Sequence, residues 1–479
     1  MSRGTNWIRC RILVPMITTG ARELAAAVRA GTVSAADVVR DALAWIDRVN
    51  PTVNAITQRA ENAVEEAEAL DARRARGEDI GPLAGVPFTA KESIPVGGLA
   101  TTHGARFLAR NVAERDAPPV ERLRRAGAVF VGHTNMPTLT MAGMHSRSEL
   151  FGSTANPWRL GRTPGGSSGG DAAAVASGMA VLGLGNDAGG SLRLPANFCG
   201  VAALKPTVGR YPADHRIGSD EPSLASQLFP VDGPIARTVD ELALVHDALC
   251  GPDPRDPRAL PVPARLGDSP PQPVALLRDP GGVGISAAVS AALDHAADAL
   301  AEAGHEVTEV GALPGFDEAL AAYGVLVNTE FGLIWDRIAT VLSEEDRAYQ
   351  QLAMDRRPPA TLPEYIAATA SLMAVRKALA RFGEQFPLVL GPVYDRLAPP
   401  PDLERADAEA NERYGRAMAL NVATTFAGVP AVAVPTGLDG GLPAGVQIIG
   451  RAYREDDCLA AAAVVEASRA PLVPPPVDA

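Results

Sequence analysis

Hydrophobic residues in the first 75 positions recur every three to four residues, which is the spacing of an amphipathic helix. Helices are predicted over 21–31, which ends in a glycine, and over 34–51, which opens on a serine with an aspartate three positions later. That opening is typical of a helix cap, and Pro51 marks the predicted end of the second helix. A third helix, with its charges on one solvated face, is predicted over 58–77.

The hydrophobic pattern changes after position 80, where short continuous apolar runs end in glycine or polar residues. Such runs are typical of strands that are buried on both faces of a sheet. Strands are predicted within 85–93, 127–135, 180–187, 273–279, 387–393, 431–437 and 444–450, and helices near 119–126 and over 286–304. Strands that alternate with helices indicate an α/β protein whose sheet is covered by helices.

A cluster of prolines at 251–273 divides the chain. The strands after it could form a second domain or could extend the first sheet. Residues 1–15 combine arginines with an apolar run that is too short for a signal peptide, so we expect an N-terminal extension before a domain over 16–479. No apolar run approaches the roughly 18 residues that a membrane span requires.

Composition narrows the classes of function. The 479 residues include 56 acidic and 44 basic side chains, a net charge of −12, which argues against a nucleic-acid binder because such a protein needs a basic face. The four cysteines are scattered, which predicts reduced thiols in a cytoplasmic protein rather than a disulfide framework or a thiolate zinc site. The histidines show no H-E-x-x-H spacing, so we expect neither a metal nor a cofactor.

The segment TPGGSSGGDAAAVASG (163–178) places two serines among glycines directly before a predicted helix. A phosphate-binding loop would need a lysine after the glycines, and Asp171 stands where the phosphate would bind. A nucleophile elbow fits the letters G-x-S-x-G around Ser167, although no strand is predicted before it, and a serine esterase remains an alternative. Alone, the segment could also be a simple helix cap.

A second glycine-serine element, GNDAGGSLRLPA (185–196), puts Ser191 24 positions after Ser167. Lys91, at the end of the run GVPFTAKES, precedes Ser167 by 76 positions. The ordered set of this lysine, GGSSGG and D-x-GGS-x-R-x-PA resembles the amidase signature family. Further segments that resemble the family are 149–158, 204–210, 233–245, 427–437 and 441–451, so the resemblance runs from about 21 to 470. Glu92 and His133 depart from the residues that the family has more often.

The resemblance implies one large α/β/α domain around a mixed, mostly parallel twisted sheet, and an amide hydrolase that forms an acyl-enzyme. It implies that Ser191 is the nucleophile, that Lys91 is the base and that Ser167, after a cis peptide bond from Gly166, relays the proton between them. A base must be neutral, so burial must lower the pKa of Lys91 from its ordinary value of about 10.4.

Other residues around Ser191 have expected roles. Gly189 and Gly190 lack side chains, so the backbone amides of the loop that begins at Ala188 can converge on a developing oxyanion. Ser168 is expected to support the serine loop. Asp187 and Arg193 are expected to form a buried pair, either around the site or as a plain structural ion pair.

Three residues are candidates for the mouth of the substrate site, each with a plainer alternative. Met136 and Met141 lie in a methionine-rich stretch, 135–144, and such methionines belong to the core more often than they contact substrate. Arg210 ends the segment LKPTVGR, which could instead be a surface loop.

The resemblance implies several classes of substrate rather than one. The family resemblance implies small amides, and the overall sequence resembles urethane-cleaving members, which adds carbamates and esters. The alternative is the glutaminase subunit of a tRNA-dependent amidotransferase, which would need partner subunits. A non-catalytic binding protein is disfavoured because the three expected catalytic residues are present. We expect a cytoplasmic monomer or homodimer that binds neither nucleic acid nor membrane.

Overall fold

The computed structural model describes residues 19–141, 143–218 and 220–474. The strands are β1 (Ile56–Arg59), β2 (Pro87–Lys91), β3 (Val129–Thr134), β4 (Arg147–Ser148), β5 (Gly152–Ser153), β6 (Leu182–Asp187), β7 (Ala202–Lys205), β8 (Val231–Ala236), β9 (Val274–Leu276), β10 (Val307–Glu309), β11 (Leu388–Pro392), β12 (Ala431–Asp439) and β13 (Leu442–Gly450). The α-helices are α1 (Ala21–Ala30), α2 (Ala35–Val53), α3 (Ala63–Ala75), α4 (Pro118–Arg125), α5 (Gly169–Ala176), α6 (Arg193–Cys199), α7 (Leu224–Leu228), α8 (Val239–Leu249), α9 (Ala287–Glu302), α10 (Phe316–Ala339), α11 (Glu344–Arg356), α12 (Leu362–Gln385), α13 (Ala408–Ala417), α14 (Ala419–Ala427) and α15 (Glu455–Ala467). Short 3₁₀ turns lie at Arg106–Leu108, Thr138–Thr140 and Leu403–Arg405.

The sheet of the described residues has eleven strands in the order β1-β3-β2-β6-β8-β7-β12-β13-β11-β9-β10, and β4 pairs with β5 separately. The expected α/β class with a large mixed sheet is confirmed. The expectation of mostly parallel strands is wrong, because six of the ten neighbouring pairs are antiparallel. At β12 and β13 the reason is local: Gly440 and Gly441, both at positive φ, form a two-residue turn, and such a turn joins only antiparallel strands.

The proline-rich segment at 251–273 does not separate two sheets. Strand β9 follows it and pairs in parallel with β11, with Val274 opposite Leu388, and β11 pairs with β13. The later strands therefore extend the first sheet. The expected extension at 1–15 and the domain start at 16 lie outside the described residues.

Two helix predictions differ from the structure at their ends. Helix α2 continues through Pro51 to Val53, because the proline sits in the last turn and Asn54, in the left-handed region at φ 53°, closes the helix by donating to the Asn50 carbonyl at 2.7 Å. The third helix begins only at α3, and the first residues of the predicted helix, 58–59, belong to β1 instead. Antiparallel pairing of β1 with β3 outweighs the helical pattern there.

Helix α5 is the element that carries the glycine-serine segment into the core. All of its residues, including Asp171, are buried, and it packs against β2, β6 and β8. A helix that is apolar almost all round needs protein on every side. Among the described residues, no helix has both the length and the apolar character that crossing a bilayer requires.

Candidate active site

Strand β2 ends at Lys91, a fully buried lysine whose amine lies between two polar groups. Lys91 Nζ is 2.5 Å from Ser167 Oγ and donates to Asn186 Oδ1 at 2.6 Å. Asn186, near the end of β6, in turn donates from Nδ2 to Ser93 Oγ at 2.8 Å. The ends of two adjacent parallel strands thus hold the lysine amine against the Ser167 hydroxyl.

Burial controls the protonation of this lysine. Removal from water lowers the pKa of Lys91 from its ordinary value, and the negative charges of Asp171, Asp187 and Asp232 oppose that shift only in part. Burial also raises the pKa of Asp171, the carboxyl on α5. The neutral amine that a base requires is therefore favoured at Lys91.

Ser167 lies in the turn that enters α5, after a cis peptide bond from Gly166, as the resemblance implied. The surrounding backbone leaves no room for side chains: a Cβ on Gly166 would lie 2.6 Å from the Met144 carbonyl oxygen, and one on Gly170 would lie 2.4 Å from that of Asn135. The glycines of GGSSGG are thus required by close packing of the turn.

Ser191 follows β6 in the loop that enters α6. It is partly exposed, whereas Lys91 and Ser167 are buried. The Ser168 amide donates to the Ser191 carbonyl at 3.1 Å, which joins the two serine loops, and Ser168 Oγ donates to the Asn186 carbonyl at 3.2 Å. Ser191 is therefore the member of the expected trio that solvent can reach.

A buried ion pair holds the Ser191 loop, as expected from the sequence. Arg193 Nε and Nη2 donate to the two carboxylate oxygens of Asp187 at 2.9 and 3.0 Å. Arg193 also donates to Gln447 Oε1 at 3.0 Å and Thr425 Oγ1 at 3.2 Å. Burial by itself would raise the pKa of Asp187, but the Arg193 guanidinium holds it well below its ordinary value.

The same carboxylate engages two amides that were expected to face an oxyanion. The amides of Gly189 and Gly190 donate to Asp187 Oδ1 at 3.0 and 2.6 Å. The Ala188 carbonyl accepts from the Tyr323 hydroxyl of α10 at 2.5 Å. In this structure the loop is closed around Asp187, so an oxyanion would share these amides or use others of the loop.

Arg210 does not lie at a site mouth, which corrects the expectation. Its guanidinium is 1% exposed and forms an ion pair with Glu455 at 3.2 Å. It also donates to three carbonyls within 262–264. A buried guanidinium that is held by a carboxylate and three carbonyls fastens one segment to another and is not exposed to a substrate.

The two methionines also differ from one another. Met136 is fully buried, so it belongs to the core and not to an open mouth. Met141 is partly exposed and packs against a small cluster that includes Leu139 and Leu342.

Three residues near the serines were not predicted: Asn186, Asp171 as a buried neighbour of the lysine, and Tyr323. Only Asn186 had a sequence signal, because it directly precedes Asp187 in the GND segment. The elbow alternative loses support, since no strand lies within 154–166 and none of the described histidines hydrogen-bonds to Ser167. The described residues contain no group of His, Cys, Asp and Glu that could hold a metal.

Comparison with known proteins identifies the family. The model of the Amidase family matches residues 37–459. The chain belongs to this family. Indoleacetamide hydrolase of Bradyrhizobium diazoefficiens is 35% identical over 94% of this chain and 87% of its own length. A glutamyl-tRNA(Gln) amidotransferase subunit of Moorella thermoacetica is 36% identical over 94% of this chain and 96% of its own length.

Among solved structures, a bacterial aryl acylamidase of the amidase signature family superposes with a TM-score of 0.82 at 27% identity, over 94% of this chain and 96% of that one. This amidase is therefore an α/β enzyme of the amidase signature family.

Proposed function

We propose that this amidase hydrolyses the C–N bond of small amides through an acyl-enzyme on Ser191. The observation that carries the proposal is the 2.5 Å contact between the buried Lys91 amine and Ser167 Oγ, beside a loop that presents the partly exposed Ser191. A buried lysine with a lowered pKa is suited to accept a proton, and an accessible serine is suited to attack a carbonyl.

In the proposed first half-reaction, Ser191 Oγ attacks the substrate carbonyl carbon. Its proton passes to Ser167 Oγ while the Ser167 proton passes to Lys91 Nζ. The tetrahedral intermediate then breaks its C–N bond, and the proton held by Lys91 returns through Ser167 to the leaving nitrogen. Water next attacks the acyl-enzyme along the same proton path, which releases the carboxylic acid and restores Ser191.

Backbone amides of the Ala188–Ser191 loop are proposed as donors to the oxyanion, as expected for Ala188, Gly189 and Gly190. The amides of Gly189 and Gly190 would then donate hydrogen bonds both to Asp187 and to the oxyanion. The Asp187–Arg193 pair is proposed to keep these amides in place before substrate arrives, which is the kind of preorganisation that stabilises developing charge.

The proposed substrates are small-molecule amides, with carbamates (urethanes) and esters as further candidates. Relatives named for indoleacetamide hydrolysis and for aryl acylamide cleavage support amides. The relative named as part of an amidotransferase supports the second candidate, a glutaminase subunit that works with partners. We further propose that the protein is cytoplasmic and is a monomer or a homodimer. Sedimentation of the purified chain would test its oligomeric state.

The test is turnover of a panel of anilides, primary amides, carbamates, esters and glutamine by the purified chain. Ser191→Ala is expected to abolish turnover and labelling by a phosphonate, and Ser167→Ala to lower kcat/KM by at least ~10³-fold. Ser177→Ala, which removes a buried serine at the other end of α5, is the matched control and should stay within about twofold.

Mass spectrometry of the labelled protein locates the modified serine. Label on Ser167 with full activity in Ser191→Ala would replace the proposal by the elbow esterase. The amidotransferase alternative would be favoured if glutamine were the one substrate of the panel that is hydrolysed, and if its hydrolysis required added partner subunits.

A further inference from the structure

An apolar cavity of about 420 Å³ lies between α12, the start of α10 and the C-terminal half of α14. Its walls include the aromatic rings of Phe316, Phe382 and Phe386. This volume is within the range of about 300–1,000 Å³ that small-molecule sites occupy. The cavity is thus large enough for a molecule with one ring or a short chain.

The cavity is separate from the serine site because α14 stands between them. Ala423 and Ala427 of this helix line the cavity. Thr425, whose hydroxyl accepts from Arg193, is about 160–200° away from both around the helix at 100° per residue. The cavity and the Ser191 loop therefore meet opposite faces of α14, and the cavity is no extension of the site already described.

One charged group in the cavity wall, Arg376, has two nitrogens without a hydrogen bond to any described residue. Arg376 Nε and Nη2 are shielded from solvent, and neither forms a hydrogen bond within the described residues. Arg376 as a whole is half-buried, but N–H groups that are shielded from solvent normally have acceptors, because leaving them unpaired costs free energy. Burial accordingly lowers the pKa of Arg376. Arg376 thus lines the cavity with a guanidinium in which two nitrogens lack an acceptor among the described residues.

The charge of the lining has a single sign. Its charged residues are Arg376 and Arg451, and no aspartate or glutamate is among the described lining residues. Arg451 is already near Asp457, at 3.5 Å, which leaves Arg376 as the group in need of an anion. A guanidinium matches a carboxylate through two parallel hydrogen bonds.

We propose that this cavity binds a small carboxylic acid with an apolar body, with the carboxylate on Arg376 and the apolar body among Phe316, Phe382 and Phe386. Free phosphate or sulfate fits less well, because the mostly apolar walls offer no replacement for the hydration of a compact anion. The inference does not depend on the proposed reaction at Ser191.

Calorimetric titration of the full chain with phenylacetate, and with the neutral 2-phenylethanol, tests the proposal. Phenylacetate should bind at least about tenfold more tightly than the alcohol, and Arg376→Gln should remove that difference. Arg381→Gln, an exposed arginine on the same helix, is the charge-matched control and should bind phenylacetate as the unchanged protein does.

A second variant tests the location without altering charge. Ala380 lines the cavity and is exposed, so Ala380→Trp is expected to obstruct the opening and weaken phenylacetate binding at least about tenfold while the fold is kept. The proposal is overturned if phenylacetate produces no binding heat at up to about 10 mM. It is equally overturned if folded Arg376→Gln and Ala380→Trp both bind phenylacetate with unchanged affinity.

Discussion

Two buried sets of charged residues lie near the ends of the adjacent strands β2 and β6: Asp187 with Arg193, and Lys91 with Asp171. The first set forms a direct ion pair, and the second does not. In the first set, Asp187 and Arg193 meet through two hydrogen bonds of 2.9 and 3.0 Å. In the second set, Lys91 Nζ contacts only the neutral oxygens of Ser167 and Asn186 within the described residues.

The carboxylate of the second set is also underpaired. Asp171 Oδ1 accepts from Thr89 Oγ1 at 3.0 Å and the Thr134 side chain also interacts with the carboxyl, but no lysine or arginine of the described residues forms an ion pair with it. Thr89 and Lys91 are two residues apart in β2, so their side chains share the face of the sheet on which α5 packs. Asp171 thus lies on the same face as Lys91 and influences it through its charge.

The difference separates the charges that hold the Ser191 loop from the charges that are proposed to move protons. The Arg193 guanidinium keeps the pKa of Asp187 well below its ordinary value, so this pair stays ionised near neutral pH. Burial instead lowers the pKa of Lys91 and raises that of Asp171, so both approach the range in which an enzyme exchanges protons. Complete pairing therefore suits the charges that hold the loop, and incomplete pairing suits the proposed base, Lys91.

The largest expected effect is on activity when the underpaired amine is removed. Lys91→Met should lower kcat/KM by at least ~10³-fold, because Ser167 then has no proton acceptor. The free energy of unfolding should stay unchanged or rise, since a buried amine without an ion pair is replaced by an apolar side chain of similar length. Steady-state kinetics and urea unfolding measure the two effects. An active but strongly destabilised variant would contradict the assignment of Lys91 as a base.

The next effect is on stability when the paired set is broken. Asp187→Asn should lower the free energy of unfolding by about 3–5 kcal/mol, because it leaves the buried Arg193 guanidinium uncompensated. Asp171→Asn is the matched control: it removes an equally buried carboxylate that has no cation in contact, and it should cost at most about 1 kcal/mol. Equal losses in the two variants, measured by urea unfolding, would show that the two sets do not differ.

Groups that lie close together in the sequence were the easiest to predict. Asp187 and Arg193 are six positions apart on either side of Ser191, and the short loop 188–192 between the end of β6 and the start of α6 brings them together. Lys91 and Ser167 are distant along the chain, but each ends or follows a segment that the family resemblance already orders. The buried pair was therefore accessible from the sequence, and the resemblance led to Lys91 and Ser167, which the structure places in contact, while the catalytic roles of the trio stay a prediction.

Other features depend on contacts that no local pattern encodes. The antiparallel centre of the sheet results from pairings such as β8 with β7 and β7 with β12, between segments far apart in the sequence. Arg210 is withdrawn from the surface by Glu455, from a helix near the other end of the chain. Asp171 fits against β6 only because Gly183 has no side chain. A Cβ on Gly183 would lie 2.9 Å from the Cβ of Asp171.

The smallest expected effect is a change in pH dependence, and it tests the link between the lysine and its neighbouring carboxylates. The rate constant kcat/KM should rise with pH until Lys91 in the free enzyme is neutral, and below that point it should fall about tenfold per pH unit. Because burial lowers the pKa of Lys91, this limb should lie well below the ordinary lysine value of about 10.4. The nearby His103 does not account for this acid limb near neutral pH, since burial lowers its pKa to about 4.

The negative charge of Asp171 raises the pKa of Lys91, so Asp171→Asn should lower it and move the acid limb to lower pH, by roughly half a unit to one unit. Asp232→Asn is the comparison variant, because Asp232 acts on Lys91 in the same direction but more weakly and has its own partner in His215 Nε2 at 3.1 Å. Its limb should move less. The measurement is kcat/KM from pH 5 to 10 for the three proteins. The Asp171→Asn variant could instead leave the acid limb in place or move it to higher pH. Either result would mean that Asp171 carries no negative charge while Lys91 titrates. The proton shared by Lys91 and Asp171 would then lie on the carboxyl and not on the amine.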